Sequence, residues 1–162
     1  MDDLASAIHA KDVNALMAHY APDVLTFDLL APLQHRGADA IRKRVSEWFS
    51  SFQGPIGYEV RDLSITVGDD VAFCHSLTGS NGTRKDGTKI AMWWRATNGF
   101  RKIGGRWIVT HGHSSEPLDG KSGLCLSSSP SAHLRYFNRS TCAGFSRELQ
   151  YAHANIAGPC PP

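Results

Sequence analysis

The first third of the chain carries its apolar residues at helical spacing, and residues after 55 carry them in alternation with polar ones. The helical spacing predicts two short helices over residues 4–8 and 12–20, followed by a short strand over residues 24–29. A longer helix is predicted over residues 41–52, where the apolar stripe is so wide that it requires a broad apolar surface to cover it.

The alternating part predicts four further strands, over residues 56–67, 71–78, 89–102 and 107–115. The alternation changes parity near Asp62, which predicts a β-bulge that bends the strand. Gly104-Gly105 predicts a tight hairpin between the last two strands. Helices followed by an antiparallel meander indicate an α+β fold in which helices cover one face of a sheet.

Composition narrows the class of protein. The 162 residues are enough for one domain with a core of its own, predicted over residues 1–118. Residues 119–162 are rich in Ser, Pro, Gly and Cys and are predicted to form an irregular, disordered C-terminal extension. The four cysteines have no CxxC spacing, so we interpret them as reduced thiols.

Charge and hydropathy argue against nucleic-acid and membrane partners. The 17 basic and 15 acidic residues are mixed along the chain, and the run Arg42-Lys43-Arg44 is interpreted as a solvated helix face. No segment has the ~20 apolar residues that span a bilayer. The acidic N-terminal segment lacks the features of a signal peptide, so a cytoplasmic location is expected.

Polar side chains interrupt the apolar faces of the predicted strands. Side chains two apart on a strand share a face, so Trp107, Val109, His111 and His113 are expected to lie on one side of the last strand. A face that mixes apolar and polar groups is typical of a ligand cavity. The residues placed on this pocket face are Asp28, Phe73, His75, Trp93, Arg95, Thr97, His111 and His113.

Arg95 requires a carboxylate or a ligand in the middle of its strand, and Asp28 and Glu116 are the two candidate partners. His111-Gly112-His113 leaves two interpretations open. The two imidazoles form a hydrogen-bonding pair that moves protons, or they begin a metal site that His75 or Asp28 completes. We favour the hydrogen-bonding pair and predict no metal.

Three segments carry a resemblance to a known superfamily. These are AKDVNALMAHYAPDVLTFD, GADAIRKRV and MWWRATNGFRKIGGRWIVTHGHSS, and the resemblance extends over residues 4–117. In their order and spacing they resemble the nuclear transport factor 2-like superfamily, and within it the small SnoaL-like and ketosteroid-isomerase-like bacterial proteins. The resemblance implies a cystatin-like cone: a curved, mostly antiparallel sheet wrapped around the long helix, with a small-molecule pocket inside.

The same resemblance implies roles for particular residues. Asp28 stands where the ketosteroid isomerases carry the carboxylate base. Leu4 and Asn98 stand where those enzymes carry the tyrosine and the protonated aspartate that stabilise an oxyanion. Losing one such donor costs ~3 kcal/mol of transition-state stabilisation, so steroid isomerisation itself is not expected.

Two functions are therefore considered. The first is proton transfer on a small, oxygenated, apolar substrate by an isomerase, cyclase or dehydratase without a cofactor. In it, Asp28, His111, His113 and Arg95 are catalytic, and the predicted substrate-binding residues are Tyr20, Phe73, His75, Trp93, Thr97 and Asn98. If Asp28 pairs with Arg95, the two could instead hold a water, as in the epoxide-opening branch of the superfamily.

The alternative is a non-catalytic ligand-binding or association module. For either function a homodimer is expected through the outer sheet face, with Met92 and Trp94 on that face.

Overall fold

The computed structural model describes residues 2–122, so the predicted extension lies outside the described residues from residue 123 onward. Two helices precede the first two strands, and a third helix separates these from the remaining four strands. The elements are α1 (Asp2–Ala10), α2 (Val13–Met17), β1 (Tyr20–Phe27), β2 (His35–Arg36), α3 (Ala38–Ser50), β3 (Gly57–Val67), β4 (Val71–Thr83), β5 (Lys89–Ile103) and β6 (Arg106–Ser115).

The six strands form one curved sheet in the order β2-β1-β6-β5-β4-β3. All neighbouring strands pair antiparallel except β1 and β6, which run parallel. The predicted α+β class with a mostly antiparallel sheet is therefore confirmed. The pattern of the sequence did not reveal β2, because two residues are too few to show any periodicity.

The helices cover one face of this sheet, which we call the inner face; the opposite face is the outer face. Phe49 of α3, with Phe52 and Ile56 just after it, packs against Ile8 and Leu16 of the first two helices. Full burial of each such side chain contributes about 1.5–3 kcal/mol. None of the helices within residues 2–122 is long and apolar enough to cross a membrane.

A second cluster closes the other half of the inner face. Ile41 of α3 and Met17 of α2 pack with Val24 of β1 and Val109 of β6. Together the two clusters account for the wide apolar stripe predicted for the long helix. The sheet supplies the surface that this stripe requires.

Register irregularities occur in the pairing of β1 with β6, of β3 with β4 and of β5 with β6. The last two change which side chains face the helices. The predicted bulge at Asp62 is confirmed: the pairing of β3 with β4 shifts between Arg61 and Ser64, and Asp62 has a φ of +51°. The second bulge, in β6, was not predicted. Gly99 of β5 pairs with His111 while the next residue of β5 pairs with Val109, so Thr110 is an extra residue.

A packing test of the inner face concerns Gly82 in β4. A Cβ atom at this position would lie 2.8 Å from the ring of Phe52, which is buried. We expect Gly82→Ala to lower the free energy of unfolding by ~1–3 kcal/mol, because an enclosed ring cannot move aside cheaply. Urea denaturation measures the change.

Gly99→Ala is the matched control, because its Cβ would meet its nearest neighbour, the Cβ of His111, at an ordinary 3.4 Å. Equal destabilisation by the two substitutions would contradict the predicted clash.

Candidate functional site

The middle of the inner face has a floor of short side chains. Thr26 of β1, Gly112 of β6, Asn98 of β5 and Cys74 of β4 are paired in one row across four strands. In the next row, Ser114 pairs with Ala96, and Ala96 with Ser76. These side chains are shorter than the aromatic and branched residues that form the two apolar clusters.

An ion pair stands at the β1 edge of this floor. Asp28 directly follows β1, and its Oδ2 lies 2.6 Å from Nε of Arg44 on α3. Its Oδ1 accepts a hydrogen bond of 2.6 Å from the backbone N–H of Leu29. Both charged side chains are only 22% exposed. Arg44 is therefore the partner of Asp28, and neither candidate pairing of Arg95, with Asp28 or with Glu116, occurs within the described residues.

Two polar side chains at this edge, Arg44 of the pair and His35, were missed in the sequence. Arg44 was interpreted as part of a solvated helix face, yet its Nε is buried and makes no hydrogen bond of normal geometry within residues 2–122. His35 of β2 pairs with Thr26 on the inner-face side, and its Nε2 is likewise buried without a hydrogen bond to the described residues. The Nε2 atom of His35 can contact a polar atom of a ligand, whereas Nε of Arg44 faces the Asp28 carboxylate. A helical projection that places Arg44 nearer the apolar stripe than Lys43 is the signal that could have indicated it.

Two tyrosines contribute buried hydroxyls to the inner face. Tyr20 pairs with the buried Val109, and Tyr58 lies beside Trp94 with a ring separation of 6.3 Å. Burial raises the pKa of Tyr20, and the nearby Asp28 carboxylate raises it further. Burial also raises the pKa of Tyr58, with a smaller contribution from Tyr20 and a partial offset from Thr78. Both hydroxyls stay protonated at neutral pH and can donate hydrogen bonds.

The thiol of Cys74 belongs to the same floor. It is a free thiol, buried, and receives a weak contact from the side-chain amide of Asn98 at 3.9 Å. Burial raises the pKa of Cys74, so the thiol stays neutral. The predicted reduced state of the other three cysteines concerns residues that lie outside the described part of the chain.

The sequence-predicted site residues divide between the two faces of the sheet. Three of them, Tyr20, Asp28 and Asn98, lie on the inner face. The outer face carries the other seven, Phe73, His75, Trp93, Arg95, Thr97, His111 and His113. Because one layer of sheet separates the two sets, no single pocket contains both.

The reason for this division is visible in β6 and β4. The histidines were expected to share a face with Val109, but the extra residue Thr110 reverses the parity beyond it. On β4, the large residues Phe73 and Leu77 are exposed, whereas the small residues between them are buried. The prediction that Met92 and Trp94 lie on the outer face is also wrong, since they pair with the buried Ser80 and Thr78.

The outer face has an aromatic and imidazole cluster of its own. The ring of Phe27 makes edge contacts with His111 at 5.3 Å and His113 at 5.7 Å. Thr97 stands between His113 and His75, which places the two histidines about two strand spacings, or ~10 Å, apart. Within residues 2–122 no three His, Cys, Asp or Glu side chains are grouped as metal ligands, so the alternative ligand set is not assembled.

Farther along the outer face, Trp93 lies flat over Gly79, where a Cβ would be 2.6 Å from its ring. The guanidinium of Arg61 stacks over the indole, 4.7 Å from the ring centroid. These groups line an open depression of about 310 Å³ together with Glu59 and Asn81. The stacking explains why Trp93 is only partly exposed on a face without helices.

Solved structures with similar folds come from several organisms. An NTF2-like protein of unknown function from Pseudomonas putida KT2440 is 28% identical, with a TM-score of 0.70, over 79% of this chain and 89% of that chain. A proposed dehydratase of the NTF2-like family from Streptomyces avermitilis is 16% identical, with a TM-score of 0.64, over 73% and 91% of the two chains. The association domain of C. elegans CaMKII is 17% identical, with a TM-score of 0.57, over 70% and 82%.

No curated protein is significantly similar in sequence to this chain. The family model of the SnoaL-like domain matches residues 1–119, which include every element of the fold. The predicted resemblance is thereby confirmed. The chain belongs to the SnoaL-like domain family, within the NTF2-like fold.

Proposed function

We propose that the inner face binds a small, oxygenated, largely apolar molecule and that Asp28 transfers a proton on it. The observation that carries this proposal is the Asp28–Arg44 ion pair at the edge of a floor of short side chains. A carboxylate in a partly enclosed apolar site with a few converging polar groups is the arrangement that general acid–base chemistry uses. No cofactor is needed for this step.

The chemistry follows from the groups around the carboxylate. Each oxygen of Asp28 has two acceptor positions, so one remains on each after the contacts with Arg44 and Leu29. The carboxylate takes a proton from a carbon next to a carbonyl, and the electron pair moves onto the carbonyl oxygen. The neutral hydroxyls of Tyr20 and Tyr58 are the available donors for that oxygen. In a β,γ-unsaturated ketone, the electron pair then returns from the oxygen through the C=C bond, and Asp28 gives the proton back at the γ-carbon. The double bond is thereby moved into conjugation, which completes an isomerisation.

The comparisons support a reaction of this class at the level of the fold. The Streptomyces avermitilis relative is a proposed dehydratase, and a dehydration also begins with removal of a proton beside an activating group. The sequence-based hypothesis paired Asp28 with Arg95, and in the present proposal Arg44 is the arginine that pairs with Asp28. If a water occupied the acceptor positions of Asp28, the pair would direct that water instead, which is the epoxide-opening alternative.

A second function is favoured by the outer face. Phe27, Phe73 and Leu77 are large apolar residues with 37%, 47% and 41% of their surface exposed there. Large apolar residues exposed on a sheet face that no helix covers are a feature of interaction surfaces. The CaMKII relative is an association domain, and we propose that this chain forms a homodimer through its outer face. Dimerisation is compatible with an enzyme and with a non-catalytic binding module.

The proposed base is tested by Asp28→Asn. Ketones, enones, lactones and epoxides are screened for compounds that raise the melting temperature of the wild type. We expect these compounds to bind the variant also, because the amide keeps the shape of the carboxylate. Turnover of any converted compound should fall at least 100-fold, since general acid–base catalysis contributes 10²–10⁴-fold. Thermal shift measures binding, and product formation measures turnover.

Asp69→Asn, the same chemical change in the exposed turn before β4, is the control and should leave turnover unchanged. Conversion by Asp28→Asn at the wild-type rate would exclude Asp28 as the base.

The buried tyrosines predict a loss of stability at high pH. The folded state holds the proton of Tyr58 above about pH 10, where the unfolded chain releases it, so stability present below pH 10 is lost as the pH rises. We expect this group to contribute a fall of at most about 1.4 kcal/mol per pH unit. Tyr58→Phe should make the decline between pH 9 and pH 11 shallower, as measured by urea unfolding. Identical declines in the two proteins would show that the hydroxyl titrates normally.

The proposed dimer is tested by Phe73→Lys. A lysine at a self-complementary interface places two like charges together in a desolvated surface, so the dimer dissociation constant should rise at least about tenfold. Sedimentation equilibrium measures it. Leu118→Lys, at an exposed apolar position after β6, is the control and should not weaken the dimer. A wild-type chain that remains monomeric at every concentration contradicts the proposal.

A further inference from the structure

A histidine lies in the middle of the exposed apolar stripe of β4. Phe73, His75 and Leu77 are alternate residues of this strand, so their side chains share the outer face. All three residues are exposed. A partner surface that covers both Phe73 and Leu77 must therefore cover the imidazole of His75 as well.

Two further histidines lie toward β1 on the same face. Phe27 is exposed and makes edge contacts with the rings of His111 and His113. Thr97 of β5 pairs with His113 on one side and with His75 on the other, so the two groups of side chains adjoin across the sheet. A dimer interface formed by the exposed apolar residues of this face therefore includes all three imidazoles of each subunit.

Within residues 2–122 these imidazoles stand beside uncharged residues. The residues that pair directly with them are Ser64, Thr97, Gly99, Leu25 and Phe27. The charged residues next along these strands are Asp23 of β1, Asp62 at the bulge of β3, and Arg95 and Arg101 of β5. The strand β4 contains no Asp, Glu, Lys or Arg, and β6 contains none after Arg106. No histidine of the described residues forms an ion pair, so a protonated imidazole on this face has no carboxylate in contact with it.

We propose that His75, His111 and His113 make association through the outer face dependent on pH: neutral imidazoles permit the dimer, and protonated imidazoles oppose it. This inference rests on the proposed homodimer, because it concerns the same surface. A two-fold interface places the same patch of both subunits together, so every imidazole charge is present twice. Arg95 already contributes a permanent positive charge beside Thr97 on each subunit.

The direction of the effect follows from the number of bound protons. Histidine changes its charge between about pH 5 and about pH 8. Enclosing a charged imidazole in an apolar interface without a carboxylate is unfavourable, so the dimer binds fewer protons than two separate subunits. Association is therefore strongest at the alkaline end of this range and weakens as the pH falls. Each proton that must be released on association raises the dissociation constant by up to about tenfold per pH unit.

Sedimentation equilibrium of the full-length protein at about pH 7.5 and about pH 5.5 tests the proposal, because histidine is mostly neutral at the first pH and mostly charged at the second. The dissociation constant of the wild-type dimer should rise at least about tenfold on acidification. In the variant His75→Gln/His111→Gln/His113→Gln the side chains stay polar but carry no charge at either pH. Its dissociation constant should change by about twofold or less. His75→Gln alone, at an exposed position, should reduce the acid effect at least about threefold.

His9→Gln is the matched control, since His9 is an exposed histidine of α1 and should leave the acid effect unchanged. A wild-type dimer with the same dissociation constant at the two pH values overturns the inference and leaves the homodimer standing. The same holds for an acid effect that persists in full in the histidine variants. A wild-type chain that is monomeric at both pH values contradicts the homodimer and its pH dependence together.

Discussion

The packing of α3 against the inner face of the sheet is the contact on which the other features depend. Phe49 and Ile41 anchor the two halves of the helix in separate apolar clusters, so the helix is held at both ends over the sheet. Between these anchors the sheet presents short side chains, including Ala96 and Gly112, in place of a continuous apolar layer. The same contact brings Arg44 to Asp28. The proposed inner-face site lies between these two anchors, beside the ion pair.

The two faces of the sheet divide the polar and the large apolar residues in an unusual way. The helix-covered side of β4 bears hydroxyls and a thiol, while Phe73 and Leu77 point to the uncovered side. In most proteins, large apolar side chains are buried and hydroxyl side chains are exposed. The buried hydroxyls would be explained if the inner face binds an oxygenated molecule. The exposed Phe73 and Leu77 would be explained if the outer face binds a second subunit.

Particular residues show how far the pattern of the sequence leads. The stripe of the long helix and the parity change at Asp62 were sufficient for the α+β class, the order of the long strands and the first bulge. Asp28 was placed on the pocket face by the strand pattern, and the family resemblance implied its role as a base. Its partner Arg44 was not, because the run Arg42-Lys43-Arg44 was interpreted as one solvated helix face. His35 was missed because β2 is too short to leave a pattern.

The sequence by itself determined the elements, because helix and strand periodicities are local properties of ten or so consecutive residues. Which side of each strand faces the helices was decided only by the tertiary structure. A single extra residue, Thr110, places His111 and His113 on the face opposite Val109. The alternation of apolar and polar residues alone does not reveal this extra residue. For β4, alternation identified two faces correctly but not which one is covered. That choice follows from the docking of α3, a contact between segments that lie more than twenty residues apart in the chain.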